Sequence, residues 1–468
     1  MRQIAALVFA IGITWLFLLE RDRKNRPSLA ILLPLAWLLI AGSRNVGEWL
    51  QMGAPSDGGD AYLDGNPLDR NLLSILIASG VYILIQRRRK VLVLLRANAP
   101  LLLYFAYCLV SILWSDFPFV GLKRWIRAIG DIVMVLVVLT DRDWLLARRR
   151  VYAWAAFVLL PVSVLLIRYY SELGRVYSIF DGQVYWTGVT TNKNELGMIC
   201  MIFGLASVSR ILDIYRGREG VRKSGLLTAH LIIVAMAIWL LHVADSATSL
   251  ACFVIGGTVL VVTTLRPVAR RPILVHLLVA AMLGIAVSAL FLGVGTGLVN
   301  NLGRNSTLTG RTEMWSHALK LVENPLFGTG YESFWVGTRL EKMRPVAPGV
   351  NQAHNAYIEI YLNLGWVGLV LFGAVIVTGY RRIIAAFRRN PDAARLALAY
   401  FVVTLSYGFT EAGAVKFRSP VWISFVMALM TTPLILSRRS QKSKIQASHD
   451  PDPVATVPAQ IPVYEGRN

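Results

Sequence analysis

The chain has 468 residues, is 55% hydrophobic and carries a formal net charge of +21, with a mean hydropathy of +0.55. Soluble proteins of this length do not have that composition, and apolar runs near bilayer-spanning length recur from end to end. Lys and Arg sit in short clusters between those runs, which is a topology pattern and argues against nucleic acid as a partner.

The first apolar run, 4–19, lacks a small-residue cleavage site and ends in Glu-Arg-Asp-Arg-Lys, so it reads as a retained span and not a signal peptide. Basic loops follow at 21–26, 87–90, 142–150, 216–223, 266–271 and 381–389, and in the tail from 438. Loops poor in Lys and Arg, acidic, or simply long lie between them, at 43–70, 115–121, 168–194, 244–247, 297–354 and 411–419. Alternating the two sets predicts about 12–13 spans, with the N-terminus outside and the C-terminus inside. Arg96, Lys123, Arg124 and Arg127 crowd the spans near 100–115 and 122–140. Backbone in lipid must satisfy itself, so the expected fold is an all-α polytopic membrane bundle. It covers 1–436, with 297–354 as a large outer loop and 437–468 as a disordered polar tail. Cys108, Cys200 and Cys252 all fall in apolar runs, which implies neither disulfide nor zinc framework. No fixed-period repeat supports an inverted-repeat transporter.

The 297–354 loop is too short for a strong core of its own and is expected to pack on the bundle mouth. Met314, Trp315, Ala318, Leu319 and Val322 recur at helical spacing, which predicts an amphipathic helix with Arg311 in its first turn. Asn324-Pro325 stops it, Gly328-Thr329-Gly330 turns the chain, and His354-Asn355 opens a long apolar helix carrying Gly365 and Gly368.

His354 is the first candidate. By itself it is more often a solvated helix-end residue, but it ends the longest polar loop on the outer side. A histidine, with an ordinary pKa of about 6.5, can take a proton from a sugar hydroxyl. Arg311 is the second: a first-turn Arg opposes the helix dipole unless an anion such as a diphosphate lies between them. Arg304 is a further donor for the same anion. Asn192, Lys193 and Asn194 lead from an outer loop into a span. Either asparagine is an ordinary helix cap on the bland reading; Lys193 and the amides bind the anion on the functional one. Asp245-Ser246-Ala247-Thr248-Ser249 ends another span, where small hydroxyl residues also let helices approach closely. Glu411, at the outer end of a later span, is a partner for a cation. Asp57, Asp60, Asp64 and Asp69 are not spaced as DxD, and Asp141-Arg-Asp143 lies among inner-face arginines. No metal or other cofactor is expected, and Arg and Lys are expected to supply the positive charge.

In order and placement these motifs resemble the O-antigen ligase and exopolysaccharide polymerase family of bacterial inner membranes. The resemblance rests on Trp114-Ser115 with Lys123-Arg124, Thr191-Asn-Lys-Asn194, Asp245-Ser-Ala-Thr-Ser249, Thr309-Gly-Arg311 with Trp315, Asn324-Pro-Leu-Phe-Gly328-Thr-Gly330, His354-Asn355 with Gly365, and Glu411. The wording is most similar to the exopolysaccharide-polymerase-like branch. The resemblance implies a glycosyltransferase that moves a glycan from undecaprenyl diphosphate to an acceptor hydroxyl on the periplasmic face. It implies inversion and no metal, with His354 as catalytic base and Arg311 as the loop arginine. Lys193, Asn192, Asn194, Arg304, Asn355, Ser246, Thr248 and Glu411 are the implied substrate-binding set. Many members carry Arg or Lys where Ala247 stands here, and Lys193 is the substitute. The partners implied are the carrier-linked oligosaccharide, a glycan or lipid acceptor, membrane lipid and a chain-length regulator. Ligation onto lipid A core or onto protein is the alternative within this chemistry. A lipid-linked glycan flippase is the alternative outside it; that would need polar residues continuing to the inner face, whereas here they gather at the outer end.

Overall fold

The computed structural model describes residues 1–21, 28–51, 66–177, 182–217, 223–291, 307–347 and 349–447. The apolar runs fold as α-helices, because a helix pairs its own amides where water is absent. The chain begins with α1 (Arg2–Glu20), α2 (Leu32–Ala41), the short α3 (Val46–Trp49), α4 (Pro67–Gln86), α5 (Arg88–Ala97) and α6 (Ala99–Val110). It continues through α7 (Pro118–Leu139), α8 (Trp144–Tyr169), α9 (Ser171–Gly174) and a hairpin of β1 (Arg175–Tyr177) and β2 (Val184–Trp186). Then come α10 (Lys193–Tyr215), α11 (Lys223–Ala244), α12 (Ala247–Val262), α13 (Arg266–Arg270) and α14 (Pro272–Phe291). The long loop before α17 carries α15 (Thr307–Lys320) and α16 (Thr338–Met343), and α17 (Ala356–Arg389), α18 (Pro391–Gly408) and α19 (Pro420–Ala447) complete the order. α19 thus runs past residue 436 into the stretch expected to be a tail. The protein is an all-α polytopic membrane protein, with one antiparallel hairpin that pairs Arg175 with Trp186.

Loops alternate between two ends of the bundle as the charge pattern predicts. At one end Arg44 donates to the Leu173 carbonyl, Arg418 to Asn45, Arg339 pairs with Asp116, Asn194 donates to Glu411 and Lys193 pairs with Asp245. At the other, basic end Ser28 donates to Asp141, Arg149 pairs with Asp213, Arg216 with Asp392, and Arg389 donates to the Leu436 carbonyl.

Among the described residues, seven helices are long and apolar enough to cross a bilayer, or up to eight if a bent pair is one span. The expected 12–13 helices therefore include several that fall short of this length and composition. The difference has three sources. The helices α2, α12 and α14 are apolar but short, and α5 meets α6 at 87°. α7 and α18 are long and mostly apolar but carry charges: α7 holds Lys123, Arg124, Arg127 and Asp131, and α18 holds Asp392 and Arg395. Burial separates centre from rim. The most apolar window of α10 is 83% buried and that of α1 only 11%. An apolar helix left that uncovered fits a lipid environment.

α17 is broken at Gly365, whose φ of 64° and ψ of −162° leave the helical region. The break orphans backbone groups, and the segment 324–330 supplies their partners. Leu362 O accepts from Thr329 N at 3.2 Å and Asn363 O from Gly330 N at 2.9 Å. Trp366 N donates to Pro325 O at 3.0 Å and Val367 N to Leu326 O at 3.1 Å. Tyr107 Oη donates to Leu364 O at 3.0 Å. A Cβ on Gly365 would lie 2.3 Å from Leu326 O. The long loop is thereby fastened to the broken helix by main-chain bonds.

Gly365→Ala should lower stability by about 1–3 kcal/mol from backbone conformation alone, with the collision at Leu326 adding to the loss. Thermal unfolding in detergent should show a clear fall in midpoint; an unchanged midpoint would contradict the threaded break.

Candidate functional site

The loop that carries α15 and α16 builds a small apolar cluster in which Met314, Trp315, Ala318 and Val322 of α15 meet Phe334, Trp335, Met343, Ala353 and Leu362. Leu319, expected on the same face, is instead 42% exposed. The cluster grips Ala353 from both sides: Trp315 Nε1 donates to its carbonyl at 2.7 Å, and its amide donates to Glu359 Oε2 at 2.8 Å. Glu359 also accepts from Trp335 Nε1 at 2.9 and 3.1 Å and from Asn363 Nδ2 at 3.2 Å. On the other side of His354, Asn355 caps α17, accepting from Tyr357 N and Ile358 N at 3.0 Å each. Asn355 Nδ2 donates to Phe409 O at 2.9 Å. Held between two fixed neighbours, His354 adopts φ 47°, in the left-handed region that non-glycine residues rarely occupy. Such backbone persists only where its surroundings over-determine it.

Glu411 collects the side chains. It is 7% exposed, and its backbone amide is bonded to Tyr407 O at the end of α18. Its Oε2 lies 3.2 Å from His354 Nδ1, its Oε1 accepts from Asn194 Nδ2 at 3.1 Å, and Arg311 lies 3.9 Å away. Arg311 also donates to Thr410 O at 2.9 Å. A carboxylate only accepts, so it favours the tautomer with hydrogen on Nδ1. Nε2 is then the proton acceptor, and among the described residues it makes no hydrogen bond. His354 is about a quarter exposed and so remains accessible.

The predicted residues are therefore brought together selectively. His354, Arg311, Asn194 and Glu411 meet directly. Lys193 adjoins Asn194, pairs with Asp245 at 3.8 Å and lies 4.2 Å from the centre of the Tyr185 ring. Asn192 serves α10 as its cap, accepting from Glu195 N at 3.0 Å. Ser246 donates to Ser249 at 3.1 Å, and a Cβ on Gly197 would come within 2.7 Å of Ser249 Oγ, so this motif is where α10 and α12 touch. Thr248 is half-buried on the same turn, and Ala247 is exposed. Arg311 sits one turn inside α15, which begins at Thr307, and not in the first turn as expected. The dipole argument for Arg311 falls with that correction, because its guanidinium is directed to Thr410 and Glu411. Arg304, Asp57, Asp60 and Asp64 lie outside the described residues. Among the described residues no three His, Cys, Asp or Glu side chains converge as a metal site would require. Sequence reasoning missed Glu359 and Trp335; the only signal was an acidic residue in the first turn of an apolar helix.

Comparison with known proteins bears on the same stretch. Residues 231–373 match the O-antigen ligase family, a segment that includes Ser246, Thr248, Arg311, His354 and Asn355. The chain is 29% identical over 291 residues to the exopolysaccharide production protein ExoQ of Rhizobium meliloti, covering 58% of this chain and 62% of that one. It is 24% identical over 220 residues to a Rickettsia conorii protein named as a "putative polysaccharide ligase", covering 44% of this chain and 52% of the other. A Rickettsia felis protein of the same name is 22% identical over 351 residues, covering 72% of this chain and 81% of its own. The chain thus spans about six-tenths of the length of ExoQ and about half that of the R. conorii protein. These matches support the resemblance to the O-antigen ligase and exopolysaccharide-polymerase-like family.

Glu359→Ala would leave the Ala353 amide and the Trp335 indole without their buried acceptor, a loss of about 1–3 kcal/mol. Hydrogen exchange at 350–356 should quicken about tenfold or more. Unaltered exchange there would contradict the clamp.

Proposed function

From its likeness to O-antigen ligases and to an exopolysaccharide production protein, we propose that this chain is a metal-independent, inverting glycosyltransferase of the bacterial inner membrane. It polymerises oligosaccharide units carried on undecaprenyl diphosphate. The observation that carries the reading is the His354–Glu411 pair, 3.2 Å apart, with Arg311 beside it. The site lies at the bundle end opposite the basic loops, and the positive-inside rule supports a periplasmic placement.

In this mechanism Glu411 accepts the Nδ1 hydrogen of His354 and keeps Nε2 directed to the acceptor hydroxyl. Nε2 takes the hydroxyl proton as the oxygen attacks the anomeric carbon in line. The bond from that carbon to the diphosphate oxygen breaks, and its electron pair leaves with the carrier. Arg311 and Lys193 stabilise the charge that builds on the diphosphate. A diphosphate is a good leaving group, so no general acid is required. Positive charge from side chains takes the place of a metal. Ligation of the glycan to a lipid A core is the second reading, favoured by the names of the Rickettsia relatives. A chain-length regulator belongs to the polymerase reading only.

Purified protein given its lipid-linked oligosaccharide in the presence of a chelator should produce a ladder of products on a gel. General base catalysis is worth about 10²–10⁴-fold, so His354→Ala should lose that much turnover and still bind carrier lipid. Arg311→Ala should weaken both carrier binding and rate. Transfer only when lipid A core is supplied would move the assignment to ligase, and full turnover by His354→Ala would remove the assignment altogether.

A further inference from the structure

At the basic end, far from His354 in the fold, α8, α10, α11 and α18 line a small, partly open cavity of about 20 Å³. Arg148, Arg149, Arg210, Asp213, His230 and Asp392 line it, with Ser207 and Ser209 beside them. The two carboxylates are already engaged: Asp213 with Arg149 at 2.5 Å, and Asp392 with Arg216 at 3.2 Å and Arg395 at 2.8 Å. Arg148 is 5% exposed. Its contacts are the Ala393 carbonyl at 3.3 Å and the Trp144 ring at 5.6 Å. Its Nε has no hydrogen-bond partner, and among the described residues no carboxylate stands at ion-pair distance from it. His230, 1% exposed, has Nδ1 3.3 Å from Ser207 Oγ, while Nε2 lies 3.5 Å from Glu20.

A guanidinium cannot shed its charge as a lysine can, and a buried charge with no carboxylate in ion-pair contact is costly. A hydroxyl-lined cavity beside such a group is suited to an oxyanion, whose geometry matches the guanidinium fork. We propose that this cavity binds a phosphate group, with Arg148 as its principal ligand and Arg149 and Arg210 in support. The group is a free phosphate or the phosphodiester of an anionic lipid headgroup; the chemistry is shared. The site is independent of the transferase chemistry at the other end.

The test uses the full-length protein in uncharged detergent. Its unfolding midpoint is followed as inorganic phosphate is added at constant ionic strength, and retention of phosphatidylglycerol against phosphatidylcholine is read by native mass spectrometry. A ligand that binds only the folded state raises the midpoint with the logarithm of its concentration above Kd. We expect a rise of a few degrees with phosphate, or selective retention of phosphatidylglycerol; the first identifies a free anion and the second a headgroup. Either effect should vanish in Arg148→Gln and persist in His354→Ala. Arg149→Gln, altered at a more exposed position, should weaken it and serves if Arg148→Gln does not fold. No phosphate shift and no lipid preference in the wild type would overturn the proposal, as would an equal effect in both arginine variants or its loss in His354→Ala.

Discussion

Glu411 binds together segments that are far apart in the chain. His354 comes from the end of the long loop, Asn194 from the first turn of α10 and Arg311 from α15, and each reaches the same buried carboxylate. A nearly buried carboxylate must be compensated, and these three groups supply both hydrogens and positive charge. The same contacts fix the imidazole tautomer and carry an arginine to its side. Structure and chemistry are thus served by one set of bonds. Without the carboxylate, the His354 ring would lose the acceptor for its Nδ1 hydrogen.

The position of the loop follows from a second constraint, the break in α17. A helix interrupted at Gly365 exposes carbonyls and amides that must find partners. The segment 324–330 provides them, and Gly328 and Gly330 adopt positive φ to do so. Fastened there, the loop presents its apolar cluster to Ala353, and Glu359 completes the grip from within the helix. The chain from Trp315 through Ala353 to His354 is a rigid path from loop core to site. Rigid support of this kind keeps a catalytic group within the small tolerances that transfer chemistry demands.

Much of this was legible in the sequence. Charge clusters between apolar runs placed the loops at alternate ends, because Lys and Arg are costly in hydrocarbon and their signature is local. His354 and Glu411 stood out as polar groups at apolar helix ends, and Arg311 as a cation on the amphipathic helix. What the sequence did not reveal depends on distance in the fold. That Glu411 is the hub, and that Asn192 caps α10 while Asn194 reaches the site, follows from packing across the bundle. The start of α15 at Thr307 was misplaced because Gly310 reads as a breaker. Which apolar runs make long, unbroken helices was not legible, because a period of apolar residues does not report helix length, bend or partner. Gly365 read as an ordinary helical glycine, since nothing local announces that segment 324–330 threads the helix there.

The most direct test of the account is a double-mutant cycle on the transfer rate, using His354→Ala, Glu411→Ala and the two together. If Glu411 acts by orienting and polarising His354, the double variant should be no slower than His354→Ala alone, because the carboxylate has nothing left to orient. Losses that multiply in the double variant would show that the two groups act independently, and would contradict the pairing on which the proposed mechanism stands.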